Sequence, residues 1–266
     1  MQLPMKAARI CRWIIATAFP ATLPLAAEEA ERSRGARFLA VGDSPPYQQV
    51  VEGGIARELE PPAGSVPPRR LSAVDPALGP GEGSSTLELR LGQITGPVAI
   101  PRGEGGVVLR KAQAAADSAP WHTVKRPVEG DFLVLLWRKP GAPTWDVPVS
   151  LSVPDGQIGA PVGSVSITNL FPADVGVQWG ESYHVLKPGV SHVERLSEGS
   201  VVPFRIEGSG PSGGRKRYFS TTISRNENER TRVIIFRADG ESPRRPLQVL
   251  MLREPVEPAK PVPKPQ

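Results

Sequence analysis

The sequence DFLVLLWRKPG, residues 131–141, decides the fold. It predicts a short, wholly apolar strand that ends in a glycine turn, and it has a second copy, RTRVIIFRADG, at residues 230–240. Val134 and Trp137 align with Val233 and Phe236, 99 residues further on. A strand that is apolar on both faces must be covered on both faces. The two copies therefore predict equivalent central strands in two related β-domains.

Short apolar segments recur along the rest of the chain, at intervals of about 8–12 residues. The 31 prolines and 27 glycines of the chain separate these segments and favour turns between them. Such spacing is typical of β-sandwiches rather than of barrel enzymes. We therefore expect an all-β fold, with two tandem β-sandwich domains that arose by internal duplication.

The first 27 residues are typical of a cleaved signal peptide. Lys6, Arg9 and Arg12 precede an apolar stretch, residues 13–25, which is too short to span a membrane comfortably and is followed by two alanines. An uncleaved membrane anchor is the alternative. Cleavage would remove Cys11, the only cysteine, and leave a mature protein without disulfides, thiolate metal ligands or a cysteine nucleophile.

The expected N-terminal β-domain covers residues 28–153. Residues 28–36 read as a disordered leader, residues 49–59 as a hairpin around Gly53 and Gly54, and residues 61–85 as a proline-rich surface loop. The alanine-rich residues 111–119 favour one short helix.

Residues 155–163 mark the boundary before the C-terminal β-domain, which covers residues 164–253. Residues 165–167 align with residues 87–89 at an offset of 78, so the second copy is expected to carry an insertion at residues 190–214. Residues 254–266, EPVEPAKPVPKPQ, predict a disordered tail because so proline-rich a segment cannot pack.

One segment resembles a recurring pattern of secreted bacterial immunoglobulin-like domains. In that pattern a strand ends in an Asn-Leu-x-Pro turn, here Asn169 to Pro172, and a later Pro-Gly turn, here Pro188 and Gly189, closes the next hairpin. The resemblance covers about a quarter of the chain that follows the signal peptide. It implies immunoglobulin-like sandwiches, and the family has no common catalytic site.

Two of the three histidines suggest a metal site. If residues 187–189 form a three-residue hairpin loop, His184 pairs with His192 and their side chains share a face with Glu194. Two imidazoles and a carboxylate are ordinary zinc ligands. A slip of one residue in the pairing would separate the histidines, and the alternative is a polar pair on an exposed hairpin.

A basic cluster, Arg215, Lys216 and Arg217, follows two glycines and precedes Tyr218 and Phe219. These cations could bind a polyanion, or they could be solvated charges on a loop that leads into a strand. Four tryptophans could instead form a sugar-stacking surface: Trp121, Trp137, Trp145 and Trp179. Of these, Trp137 is expected in the core because its equivalent is Phe236.

The chain carries no catalytic or nucleotide-binding signature, such as Gly-x-Ser-x-Gly or His-Glu-x-x-His. We therefore expect an exported, non-catalytic structural or interaction protein of the bacterial cell envelope, periplasmic or extracellular and without a cofactor. The expected partner is another envelope protein or an anionic or glycan polymer, not nucleic acid, and no transmembrane segment is expected after signal cleavage. The alternative function is a carbohydrate- or polyanion-binding module.

Overall fold

Strands make up almost all of the regular structure among the described residues of this protein. The structure is a computed structural model that describes residues 33–256 apart from residues 47, 75–83, 102–104, 113, 115–117, 211–212 and 241–242. The predicted signal peptide, residues 257–266 of the predicted tail, and residues 113 and 115–117 of the alanine-rich segment 111–119 lie outside the described residues. No helix in the part of the chain that is described is long and apolar enough to cross a membrane.

The first half of the fold contains two four-stranded sheets, ordered β10-β9-β1-β6 and β5-β4-β7-β8, and a separate hairpin of β2 and β3. Its strands are β1 (Ser33–Val41), β2 (Gln49–Glu52), β3 (Ile55–Glu58), β4 (Arg70–Val74), β5 (Ser85–Glu88), β6 (Val98–Pro101), β7 (Val107–Lys111), β8 (His122–Val124), β9 (Phe132–Arg138) and β10 (Pro148–Pro154).

The second half also contains two four-stranded sheets, ordered β14-β11-β17-β18 and β13-β12-β15-β16. A single helical turn, α1 (Gly156–Gly159), precedes it. Its strands are β11 (Ser164–Asn169), β12 (Val175–Trp179), β13 (Ser182–Leu186), β14 (Ser191–Arg195), β15 (Val201–Ser209), β16 (Arg215–Ser224), β17 (Glu229–Arg237) and β18 (Leu247–Pro255).

The two halves have the same strand order once the β2–β3 hairpin is set aside. In each half the first strand pairs in parallel with the seventh, as β1 with β9 and β11 with β17. The predicted equivalence of the two central strands, β9 and β17, agrees with this order. The alignment of the earlier strands was wrong, because β11 corresponds to β1 and not to residues 87–89. No insertion at residues 190–214 is needed, since β14 and β15 have counterparts in β6 and β7.

Three predicted boundaries were also wrong. The proline-rich segment 61–85 contains β4, whose Leu71 and Ala73 are fully buried. The predicted leader 28–36 overlaps β1, and Ala36 is fully buried. In each case two or three alternating apolar residues pair with neighbours distant in sequence, which local composition does not show. The predicted tail begins too early, because β18 remains paired with β17 as far as Pro255.

The predicted hairpin around Gly53 and Gly54 is confirmed, and both glycines have the positive φ of a tight turn.

Each pair of sheets encloses its own apolar core. In the first half, Phe132, Val134 and Leu136 of β9 point inward, and Leu71 and Leu109 face them from the other sheet. In the second half, the inward residues of β17 include Val233 and Ile235. Alternation along a strand therefore sends every second residue of these apolar runs to the opposite face of the sheet.

The outward residues form a third apolar cluster, in which the two halves contact each other. Leu39, Leu133 and Leu135 from β1 and β9 pack with Ile234 and Phe236 from β17. The sheets that contain the central strands are thus covered on both faces, as the sequence predicts for strands apolar on both sides. The described residues of the two halves accordingly belong to one compact unit.

We predict that Ile234→Ala lowers the free energy of unfolding by about 2–5 kcal/mol, although Ile234 belongs to neither sandwich core. Its side chain is 2% exposed and lies in the contact between the halves. Chemical denaturation would measure the change. Val201→Ala is the control, because Val201 is 63% exposed and its truncation should change stability by at most about 0.5 kcal/mol. Equal effects of the two substitutions would mean that the halves do not pack together in solution.

Candidate functional site

A groove of about 930 Å³ opens at one end of the contact between the two halves. Its apolar walls come from both sides: Trp137 and Leu151 from β9 and β10, and Leu170, Phe171 and Phe236 from the second half. Its remaining lining includes Pro140, Pro143, Pro172 and Pro188. Ligand sites are commonly concave, mainly apolar and located between domains, and the groove has all three properties.

An ion pair and two backbone hydrogen bonds hold the rim of this groove together. The backbone N–H of Asp43 donates to Oδ2 of Asp239 at 3.2 Å, and the N–H of Asp239 donates to Oδ2 of Asp43 at 2.7 Å. Arg138 forms an ion pair with Asp239. Arg138 also donates to the carbonyl of Pro143 at 3.0 Å. These contacts connect the ends of β1, β9 and β17, so the rim is fixed by both halves.

Lys139 and Arg237 also line the groove, and both are exposed. Together with Arg138 they place three cations around a predominantly apolar wall, against the carboxylate of Asp239. The groove therefore offers apolar surface to a ligand and positive charge at its edge.

A cluster of five charged residues closes the opposite end of the same contact. Arg37 of β1 and Arg232 of β17 both pair with Asp155 and with Glu254 of β18. Arg230 lies 3.6 Å from Asp155. The side chain of Arg232 is only 1% exposed, so its charge depends on these two carboxylates. Glu254 was predicted in the disordered tail, and it is instead a partner of two arginines.

Asp155 is the centre of this cluster. Its carboxylate also accepts a hydrogen bond from the N–H of Gly156 and caps α1. Burial alone would raise the pKa of Asp155. The hydrogen bond from Arg37 and the charges of Arg232 and Arg37 outweigh this effect and lower the pKa to about 2. Asp155 is thus ionised at neutral pH and bonds the segment between the halves to β1 and β17.

His184, His192 and Glu194 meet at one edge of the second half. Nε2 of His192 lies 2.7 Å from Oε1 of Glu194, and Nε2 of His184 lies 3.1 Å from the same oxygen. The two imidazole rings have their centroids 4.5 Å apart. The three residues selected from the sequence therefore do converge.

The hairpin pairing expected for these residues was wrong. Strand β13 carries His184 and pairs with β12, whereas β14 carries His192 and Glu194 and pairs with β11. The two strands are edges of opposite sheets, so the side chains meet across the open side of the sandwich. The chain crosses from one sheet to the other at the Pro188-Gly189 turn, which also lines the groove.

The basic cluster lies within β16 and not on a loop before it. Strand alternation puts Arg215 and Arg217 on one face and Lys216 on the other, so the three cations do not form one surface. The guanidinium of Arg215 lies 4.6 Å from the ring centroid of Tyr183. A Cβ on Gly176 would lie 1.9 Å from the hydroxyl of Tyr183, so only glycine lets this ring lie across the sheet. Lys216 lies 5.5 Å from the ring centroid of Tyr218.

The tryptophans do not form a sugar-stacking surface. Trp121, Trp145 and Trp179 are at most 8% exposed, and the N–H of Trp121 donates to the carbonyl of Trp145. Trp137, expected in the core, is half-buried and lines the groove, because it faces outward from β9 as Phe236 does from β17.

His122, the third histidine, forms a hydrogen bond of 2.8 Å between its Nε2 and Oγ of Ser150. Burial lowers the pKa of His122.

Sequence reasoning missed Arg37, Arg232, Asp239 and Glu254. Each lies at a strand end or on an outward strand face, and only the contact between the halves makes it part of a site. No protein-family model matches the chain, and no curated protein is significantly similar to it.

We predict that stability falls in acid through Asp155. Its pKa is lower in the folded protein than in the unfolded chain, so its contribution is fully present above about pH 4 and is lost as the pH falls through about 2. The depression corresponds to about 2 kcal/mol. Asp155→Asn should remove this pH-dependent part, and Asp174→Asn, at an exposed position, should retain it. Unfolding by urea between pH 5 and pH 2 would measure it, and parallel curves for both variants would contradict the assignment.

Proposed function

We propose that the protein is an exported, non-catalytic interaction module of the bacterial cell envelope, and that the groove between its two halves is the binding site. The groove itself is the observation that carries this proposal. Its volume of about 930 Å³ lies in the range of sites that enclose a ligand or several side chains of a partner. Its apolar wall and cationic edge favour a short apolar segment of another envelope protein, with an acidic residue at one end.

We also propose that the halves are immunoglobulin-like sandwiches produced by duplication. Their identical strand order supports a common origin, and so does the offset of 99 residues between Val134 and Val233. The proposal of export is supported by the signal-like residues 1–27, which favour a mature protein in the periplasm or outside the cell.

The absence of catalysis is proposed from the chemistry available around the groove. Its lining includes Arg138, Lys139, Arg237 and Asp239, and no histidine or cysteine lines it among the residues that the structure describes. Asp239 is engaged by Arg138 and by the backbone of Asp43, so it is held as an acceptor. This set of residues suits binding better than proton transfer.

A photo-crosslinking amino acid at position 171 would test the groove in living cells. We expect one defined envelope protein to be captured from position 171 and not from position 201, which is exposed and does not line the groove. Arg237→Glu should weaken this capture by reversing the charge at the groove edge. Arg244→Glu is the matched control, because Arg244 is exposed and does not line the groove. Equal capture at both positions, or no effect of Arg237→Glu, would remove the groove as the site.

The second candidate is a carbohydrate- or polyanion-binding module. The observation that favours it is the stacking of Arg215 on Tyr183 and of Lys216 on Tyr218, which orients two cations of the cluster. Arg217 is exposed on the same face of β16 as Arg215.

For this candidate, we expect the triple change of Arg215, Lys216 and Arg217 to Gln to lower the salt concentration needed to elute the protein from heparin. A second triple variant, Arg57→Gln, Arg69→Gln and Arg70→Gln, removes the same charge from exposed residues of the first half. If both triple variants elute together, retention reflects net charge and this candidate is wrong.

A further inference from the structure

His184, His192 and Glu194 are not among the residues that line the groove, and they have a chemistry of their own. We propose that they bind a divalent transition-metal ion such as Zn²⁺ between the edge strands β13 and β14. This inference does not depend on the function proposed for the groove, and it would replace the expectation that the protein has no cofactor.

The first argument is the convergence of three ligand atoms. One nitrogen from each histidine and one oxygen of Glu194 all lie within 4.8 Å of one another. In a tetrahedral zinc site with bonds of about 2.0–2.1 Å, neighbouring ligand atoms are about 3.3 Å apart. The observed separations from Glu194 Oε1 to the imidazole nitrogens, 2.7 and 3.1 Å, are about 0.6 and 0.2 Å shorter than that value. Small rotations of the side chains would therefore admit an ion.

The second argument is a buried ring nitrogen of His184 that forms no hydrogen bond. Nε2 of His184 is buried from solvent and lies 3.1 Å from Glu194 Oε1, but it has no hydrogen-bond partner of acceptable geometry among the described residues. Buried side-chain nitrogen atoms are normally bonded, so an exception points to a missing partner. A metal ion beside Glu194 would bond this nitrogen and would also replace the hydrogen bond between His192 and Glu194.

The third argument comes from the corresponding edge of the first half. In the first half, Ala36 pairs with Val98 on one side and with Phe132 on the other. In the second half, Val165 pairs in the same way with Glu194 and with Thr231. Because Phe132 and Thr231 are equivalent positions, Val98 occupies the place of Glu194.

Leu87, Val98 and Ile100 close the edge of the first half with aliphatic side chains, each at most 8% exposed. An apolar closure is therefore available to this topology. The second half instead has two imidazoles and a carboxylate, so its polar residues are not required simply to close the sandwich.

The surroundings would strengthen metal binding. His184 pairs with Val177, His192 with Ile167 and Glu194 with Val165, and these three partners are fully buried core residues. The ligands thus have an apolar wall behind them, where electrostatic attraction is stronger than in water. Their side chains are 21–34% exposed, which leaves a path for an ion and room for water as a further ligand.

Zinc binding to the full chain would test the proposal. Titration calorimetry should give one Zn²⁺ per chain, while Mg²⁺ and Ca²⁺, which prefer all-oxygen sites, should not compete. Each of the three substitutions His184→Gln, His192→Gln and Glu194→Gln should weaken Zn²⁺ binding by at least about 100-fold. Loss of a hydrogen bond that supports a ligand costs up to about 100-fold, so loss of the ligand itself should cost at least as much. His122→Gln is the matched control and should bind as tightly as the unaltered chain, and Cys11→Ser, which removes the only thiol, should also have no effect.

Two further measurements separate a site from a structural role. Circular dichroism should show that Glu194→Gln remains folded, since glutamine keeps the shape of glutamate. Co²⁺ bound to the unaltered chain should give the visible absorption of a four- or five-coordinate site, and Glu194→Gln should lose it. One-to-one zinc binding that survives all three ligand substitutions, or no zinc binding by the folded, unaltered chain, would overturn the proposal.

Discussion

The packing of β1 and β9 against β17 and β18, through their outward faces, is the contact on which the rest of this structure depends. It covers the second face of strands that are already apolar on their inner face, and each buried leucine or isoleucine there contributes about 1.5–3 kcal/mol. The groove, its rim and the charged cluster all involve residues from both halves. None of them would exist if the two sandwiches were joined only by a flexible linker.

The two ends of this contact differ in their chemistry, and that difference locates the groove. At one end, Arg37, Asp155, Arg232 and Glu254 fill the space with paired charges. Such buried charges add little net stability, but they are costly to unpair, so they fix how the sheets are placed against each other. At the other end, the chain turns away in loops that contain proline and glycine, after β9, β13 and β17. These loops cannot fill the gap between the sheets, and apolar surface remains open.

Sequence patterns could predict the class of fold and its most buried strands, because apolar runs and glycine turns are local signals. They could not place β4 or the first residues of β1, where short segments become strands only by pairing with residues such as Leu87 and Phe132. The histidine site shows the same limit. His184, His192 and Glu194 do lie close together. The expected hairpin was wrong, since sequence proximity does not show that a chain changes sheets at Pro188 and Gly189. The groove and the charged cluster had no sequence signal, because both arise from contacts between distant strands.

The apolar outer faces of the two halves have a consequence for how the chain folds. Each half resembles a self-contained unit in its strand order, yet each presents an apolar outer face that only the other half covers. During synthesis the first half would stand with Leu39, Leu133 and Leu135 uncovered until β17 arrives about a hundred residues later. The two halves are therefore not interchangeable modules, and neither could be transplanted alone without carrying a surface prone to aggregation.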